Sequence, residues 1–145
     1  MNKKGFTLLE MLVVIGIISI LVTIATASYS TAMKKSRDTR RRSDMSAIQN
    51  AMEQYYSSCY SKYKDLAVGA LPATIATVAS PTCEVLAIST IITVPDDPQG
   101  GSYQCVGTCD DTAYTICPPV LSNGKYLETE DCTVANRSCC LSNRQ

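Results

Sequence analysis

The sequence predicts an α+β fold, a long N-terminal helix laid on a small C-terminal antiparallel sheet. Three observations carry this prediction. Residues 11–33 hold no charge, a run of 23 residues. Met45, Ile48, Met52 and Tyr55 then recur at steps of three, four and three, the apolar stripe of an amphipathic helix, with no Pro or Gly between Gly16 and Gly69 to interrupt it. Beyond residue 60, short apolar segments alternate with Gly, Pro and Asn turn signals, and all eight cysteines lie at or after Cys59.

The first element is expected to run from about Phe6 to about Cys59, on the order of 80 Å at ~1.5 Å per residue. Its first half is apolar on every side and long enough to cross a hydrocarbon core, which takes ~20 residues. Lys3 and Lys4 precede it, so the N-terminus is expected in the cytoplasm and the remainder outside. Glu10 stands at the edge of the run, where burial deep in lipid costs ~2.5–3.5 kcal/mol, and so calls for a partner. Two plainer readings compete. One is a simple signal anchor. The other is a secretory signal cleaved after Ala27, because Ala25-Thr26-Ala27 is an A-x-A site behind a basic start. Against the second, Glu10 interrupts the join and the apolar run exceeds the usual ~7–15 residues.

Lys3-Lys4-Gly5-Phe6-Thr7-Leu8-Leu9-Glu10, running into Met11-Leu12-Val13-Val14-Ile15, resembles the class III leader and N-terminal helix of type IV pilins and type II secretion pseudopilins. The resemblance implies cleavage between Gly5 and Phe6 by a prepilin peptidase, methylation of the new Phe6 amine, and assembly into a homo-oligomeric or mixed filament in which Glu10 faces the Phe6 amine of a neighbour. It also implies a membrane-inserted precursor with an exported head, then an extracellular or periplasmic filament. The family often carries Gly and Pro where this chain has Ser19 and Ala27. Ile48-Gln49-Asn50-Ala51-Met52-Glu53-Gln54-Tyr55-Tyr56 is similar to the run that follows the charged stretch in pilins. On this reading residues 1–5 are leader, 6–33 a transmembrane and filament-core helix, 34–59 its amphipathic continuation, and 60–145 a disulfide-rich head.

Thirteen Lys+Arg balance thirteen Asp+Glu, and loss of residues 1–5 leaves 11 against 13. Bulk charge therefore does not point to nucleic acid. The absence of His removes the commonest general base and metal ligand, and no Gly-x-Ser-x-Gly occurs; no catalytic residue is expected. The cluster Lys34, Lys35, Arg37, Arg40, Arg41 and Arg42 is expected on a solvated face or paired with Asp38 and Asp44; subunit contact and nucleic-acid capture are the alternatives.

In residues 60–98, Gly69, Pro72, Pro81 and Pro95 punctuate the chain. A short helix is expected at Thr74–Ala79. Cys83–Ile92 reads as either helix or buried strand, with composition favouring helix at Glu84–Ser89. Ile92-Thr93-Val94-Pro95-Asp96-Asp97-Pro98-Gln99-Gly100-Gly101-Ser102-Tyr103-Gln104 resembles the approach to the sheet in major pseudopilins and related pilins. Ser102–Val106 and Ala113–Cys117 are expected to form a hairpin, closed by Pro118-Pro119, with further strands at Tyr126–Thr129 after the Ser122–Lys125 turn and at Ser138–Leu141.

Eight cysteines in a short exported chain imply disulfides: Cys59, Cys83, Cys105, Cys109, Cys117, Cys132, Cys139 and Cys140. The favoured pairing joins Cys59 to Cys83, with the sheet cysteines bonded to the C-terminal group. Cys105-x3-Cys109 also permits zinc, which the compartment disfavours. No cofactor is expected. Asp110, Asp111, Glu128, Glu130 and Asp131 are candidate calcium ligands, a possibility raised by the resemblance to major pseudopilins; polar turn residues are the plainer reading. Asn136-Arg137-Ser138 is a formal glycosylation sequon.

Overall fold

The structure, a computed structural model, describes residues 5–77, 83 and 89–144, without the side chain of Ala27. The expectations for Met1–Lys4, for Val78 and Ala79, and for a helix over residues 84–88 lie outside the described residues. The chain forms two compact units, Met1–Ser36 and Arg37–Gln145.

Helix α1 spans Leu8–Ser58, 51 residues. In the first unit it is exposed on all sides, as a segment without one polar face must be when nothing covers it. In the second unit Met45, Ile48 and Met52 are buried, and they form the main core with Tyr63, Leu66, Leu71, Ile75, Tyr103, Cys105, Tyr114 and Ile116. The helix ends where Tyr60 and Ser61 take positive φ, 52° and 59°. That turn sends the chain back across the sheet: Tyr63 N donates to Asp111 O at 2.9 Å and Leu66 N to Cys109 O at 3.1 Å.

Among the described residues six strands follow: β1 Gly69–Ala70, β2 Thr74–Thr77, β3 Ser89–Thr93, β4 Gln104–Cys109, β5 Tyr114–Cys117 and β6 Leu141–Ser142. The main sheet has the order β1-β4-β5-β6, antiparallel throughout, and β2 pairs with β3 in a separate two-stranded sheet. The expected hairpin is present as β4–β5, but β4 continues through Gly107, Thr108 and Cys109, which were expected in the turn. The ladder is irregular between Cys105 and Cys109, and Gly107 takes φ 86° there. Gly101 is the other demanding glycine. Its φ is 103°, and a Cβ would meet Pro119 Cβ at 3.1 Å.

Three expectations need correction. Thr74–Thr77 is a strand, because Thr74, Ile75 and Thr77 are β-branched and find partners in β3. Tyr126–Thr129 is not a strand: Tyr126 N donates to Cys132 O at 2.8 Å, leaving only a single bridge between Lys125 and Thr133. The backbone N–H groups of Glu128 and Thr129 go instead to the carboxylate of Asp38. The last strand falls at Leu141–Ser142, later than expected at Ser138–Leu141, because the turns at Ala135 and Arg137–Cys140 occupy the earlier residues. A second small core of Cys117, Tyr126, Leu127 and Cys132 lies under this C-terminal segment.

Candidate functional site

The first unit presents the start of α1. Thr7 caps the helix, accepting a hydrogen bond from Glu10 N on its Oγ1 at 3.2 Å. Thr7-Leu8-Leu9-Glu10 has the spacing of a capping box, and a carboxylate in the first helical turn is favoured by the helix dipole. Phe6 is 74% exposed, and Gly5 and Glu10 are exposed beside it. Within the apolar run that follows, three hydroxyls return their protons to the helix itself: Ser19 to Ile15 O at 2.7 Å, Thr23 to Ser19 O at 2.8 Å and Thr26 to Thr23 O at 3.0 Å. Satisfied in this way, they fit a lipid or helix-packing environment. Among the described residues α1 is the one helix long and apolar enough to cross a membrane.

In the second unit Arg40 and Arg42 lie on the exposed face, as expected, but Arg41 does not. Arg41 is 0% exposed. Its Nε and Nη2 donate to the two oxygens of Asp97 at 2.6 and 3.0 Å, and Nη2 also reaches Gln99 Oε1 at 2.9 Å. Its Nη1 donates to Asp38 Oδ1 at 3.0 Å and Glu128 Oε1 at 3.3 Å. Arg37 closes the group with a two-pronged contact to Glu128, 2.6 Å on each side. Asp38 accepts from Glu128 N, Thr129 N and the Thr129 hydroxyl at 2.9, 2.8 and 2.7 Å. Burial pushes the Asp38 carboxyl up, but these donors and Arg41 outweigh it and hold the group below the usual range. The Arg37 guanidinium holds Glu128 below that range as well. Burial lowers Arg41, but Asp97 and Asp38 more than offset it and raise its pKa. One guanidinium thus joins α1 to the 97–99 turn and the 128–129 turn. Two of the expected partners behave differently: Asp38 is part of this group, whereas Asp44 takes the Tyr103 hydroxyl at 2.8 Å and lies 3.9 Å from Arg40.

A second junction lies further along α1. Glu53 accepts from the hydroxyls of Tyr63, at 3.1 Å to the nearer oxygen, and Tyr114, at 2.9 Å, and from Arg144 N at 3.2 Å. Burial and then Glu53 push the Tyr63 hydroxyl up to about 12.

The candidate calcium ligands are not brought together. Asp110 caps its own turn through Thr112 and Ala113, Asp111 pairs with Lys62 at 2.7 Å, Glu128 belongs to the arginine group, Glu130 pairs with Arg42, and Asp131 pairs with Lys125 at 3.0 Å. Among the described residues no three acidic, His or Cys side chains are placed to share a metal ion. Asn136 is exposed, but its amide is occupied, accepting from Thr133 N and donating to Asp131 O.

Four disulfides join Cys59 to Cys83, Cys105 to Cys109, Cys117 to Cys140 and Cys132 to Cys139. Only Cys117 links the sheet to the C-terminal group. Cys105 and Cys109 bond each other across the irregular stretch of β4, contrary to the expected pairing, and that bond removes both thiolates from the zinc alternative. Cys139 and Cys140 take different partners.

Residues 1–26 match the family model of the prokaryotic N-terminal methylation motif. No curated protein and no solved structure matches the chain. The matched segment includes Gly5, Phe6, Thr7 and Glu10 and most of the bare apolar run. The chain therefore carries a class III prepilin leader, the signal of type IV pilins and pseudopilins, ahead of an α+β head.

Proposed function

We propose that the protein is a structural subunit of a type IV pilus-like filament. A prepilin peptidase cleaves it between Gly5 and Phe6 and methylates the new amine, and it assembles through its N-terminal helix, with Glu10 pairing with the Phe6 amine of a neighbour. The observation that carries this reading is the exposed apolar helix that begins at the methylation motif. Such a helix is stable in lipid or in a bundle of its own kind, and transfer between the two is what assembly requires. A carboxylate and an amine that leave water together strongly favour one register, because either alone would be a buried unpaired charge. Head-to-tail contacts that do not close then give an open filament. The motif marks structural subunits and not an enzyme class.

The intact mass of the mature protein from a membrane fraction tests the processing. A chain starting at Phe6 with one added methyl group supports it, whereas a chain starting at Ser28 replaces it with a soluble exported domain. Glu10→Ala is expected to leave membrane insertion intact and to abolish filament incorporation; normal filaments from this variant would remove Glu10 from the mechanism. The alternative within the class is a secretion pseudopilin forming a short periplasmic structure. It draws support from the resemblance of Ile92–Gln104 to the approach to the sheet in major pseudopilins and related pilins. Filament length and location on cells separate the two.

A further inference from the structure

We infer that Thr7 is a positioning residue for the processing step: by capping α1 it keeps the scissile Gly5 carbonyl out of the helix, where a peptidase can polarise it and water can attack it. The inference deepens the processing reading proposed above and rests on it. Helix α1 begins at Leu8, and Gly5, Phe6 and Thr7 lie outside it and are exposed. Thr7 closes that boundary twice. Its Oγ1 accepts from Glu10 N at 3.2 Å, and its carbonyl accepts from Met11 N at 3.3 Å. This is the geometry of an N-cap residue, whose backbone stands outside the helix while its carbonyl takes the first intrahelical bond. Among the described residues none hydrogen-bonds to Gly5 O or to Phe6 N, so both halves of the scissile peptide are open. Attack on a carbonyl needs its oxygen free to meet donors or charge from the enzyme. A carbonyl inside a helix is already bonded to the amide four residues on.

The residues upstream show what the cap prevents. Gly5 is the next position before Thr7 with a preference for the N-cap, close to that of Thr, whereas Phe6 lacks it. Ala is the strongest helix former and a poor cap. With Ala in place of Thr7, the favoured helix start moves back two residues. Gly5 becomes the cap, Phe6 the first helical residue, and the Gly5 carbonyl the first intrahelical acceptor, taking Leu9 N. In the structure Leu9 N has no partner among the described residues, as expected for an amide in the first turn of a helix. The two helix starts therefore differ in whether the scissile carbonyl is free. Lys3, Lys4, Glu10 and the apolar run are the same in both, so the precursor offers a peptidase the same residues to hold and only the reacting bond changes.

The full-length precursor in detergent micelles would be cleaved with a purified prepilin peptidase, and the products identified by intact mass, for the native chain and for Thr7→Ala, Thr7→Ser and Thr7→Asn. Amide hydrogen exchange at Leu9, read by NMR in the uncleaved chain, reports where the helix starts. Thr7→Ala is expected to keep cleavage between Gly5 and Phe6 but to lower kcat by roughly five- to tenfold, the factor for one net hydrogen bond that must first break, with KM little changed. The same variant should protect the Leu9 amide. Thr7→Ser and Thr7→Asn, which keep a capping oxygen, should restore both the rate and the fast exchange. An unchanged kcat for Thr7→Ala, a loss that Thr7→Ser shares, or slow cleavage with the Leu9 amide still exchanging freely would overturn the inference and leave the processing reading standing. No cleavage of the native chain between Gly5 and Phe6 would overturn the processing reading itself, and the inference with it.

Discussion

Arg41 occupies a position that charge alone assigns to solvent, yet it is fully buried among three carboxylates. In the sequence Arg41 was expected on a solvated or Asp38-paired face, although its spacing carries a signal that the charge obscured. Arg41 precedes Met45 by four residues and Ile48 by seven, so it continues the apolar stripe, and Asp38 lies three residues before it on the same side. What was not readable was the partner, because Asp97 is 56 residues away and only folding brings it to 2.6 Å. Removing one member of such a group leaves buried charges unpaired. Arg41→Ala is therefore expected to lower head stability by about 3–5 kcal/mol in urea titration. Arg41→Lys should recover only part, since an ammonium cannot fork onto Asp97 while reaching Asp38 and Gln99. The pH dependence follows from the directions of the shifts. Asp38 and Glu128 are held below the ordinary carboxylate range of about 4, so their contribution is complete above that range and is lost as pH falls through their lowered values. Tyr63 is raised to about 12, so its contribution is present below the ordinary value of about 10 and is lost between about 10 and 12. Denaturation midpoints should be flat from about pH 5 to 9 and fall on both sides. A midpoint that holds through about pH 3 would contradict the carboxylate part.

Among the elements, those with long, repeated patterns were the legible ones. The helix was expected at Phe6–Cys59 and runs Leu8–Ser58, because one breaker-free segment carries both the apolar run and the stripe. The β4–β5 hairpin followed from alternation around a Gly-containing turn. Thr74–Thr77 was misread because four residues do not establish a period, and its strand character depends on β3 being opposite. Tyr126–Thr129 was misread because the turn signal before it was followed by a segment whose amides are taken by Asp38 from α1. The disulfides tie these short elements together, and their loops differ in length. Cys117–Cys140 spans 23 residues and Cys59–Cys83 spans 24, while Cys105–Cys109 spans four. On loop-closure entropy, removing either long bridge by double Cys→Ala exchange should cost about 3.5 kcal/mol, against about 2 kcal/mol for Cys105–Cys109. Thermal unfolding of the three double variants would show that order.

At the scale of the molecule, the two units answer to different solvents. The second contains its own core and all four disulfides, so residues 28–145 expressed in an oxidising compartment should be soluble and melt cooperatively. Their mass should rise by eight hydrogens on reduction, two for each bridge. Aggregation of that fragment would mean that the head needs the first half of α1 to fold. The first unit exposes Leu8, Leu9, Leu12, Ile15, Ile17, Ile18 and their neighbours. Such a surface is tolerated only where lipid or other helices cover it.

The sequence by itself determined the helix, its apolar half, the methylation motif with Gly5, Phe6 and Glu10, the oxidised state of the head and the α+β class. Each depends on local order: spacing along one helix, or composition that one compartment explains. The tertiary structure decided the burial of Arg41, the dispersal of the five acidic candidates into separate pairs, the bonding of Cys105 to Cys109, and the loss of a strand at Tyr126–Thr129. These are outcomes of competition between groups far apart in the chain. A carboxylate or an amide takes whichever partner the folded backbone brings within about 3 Å, and no periodicity records which one that will be.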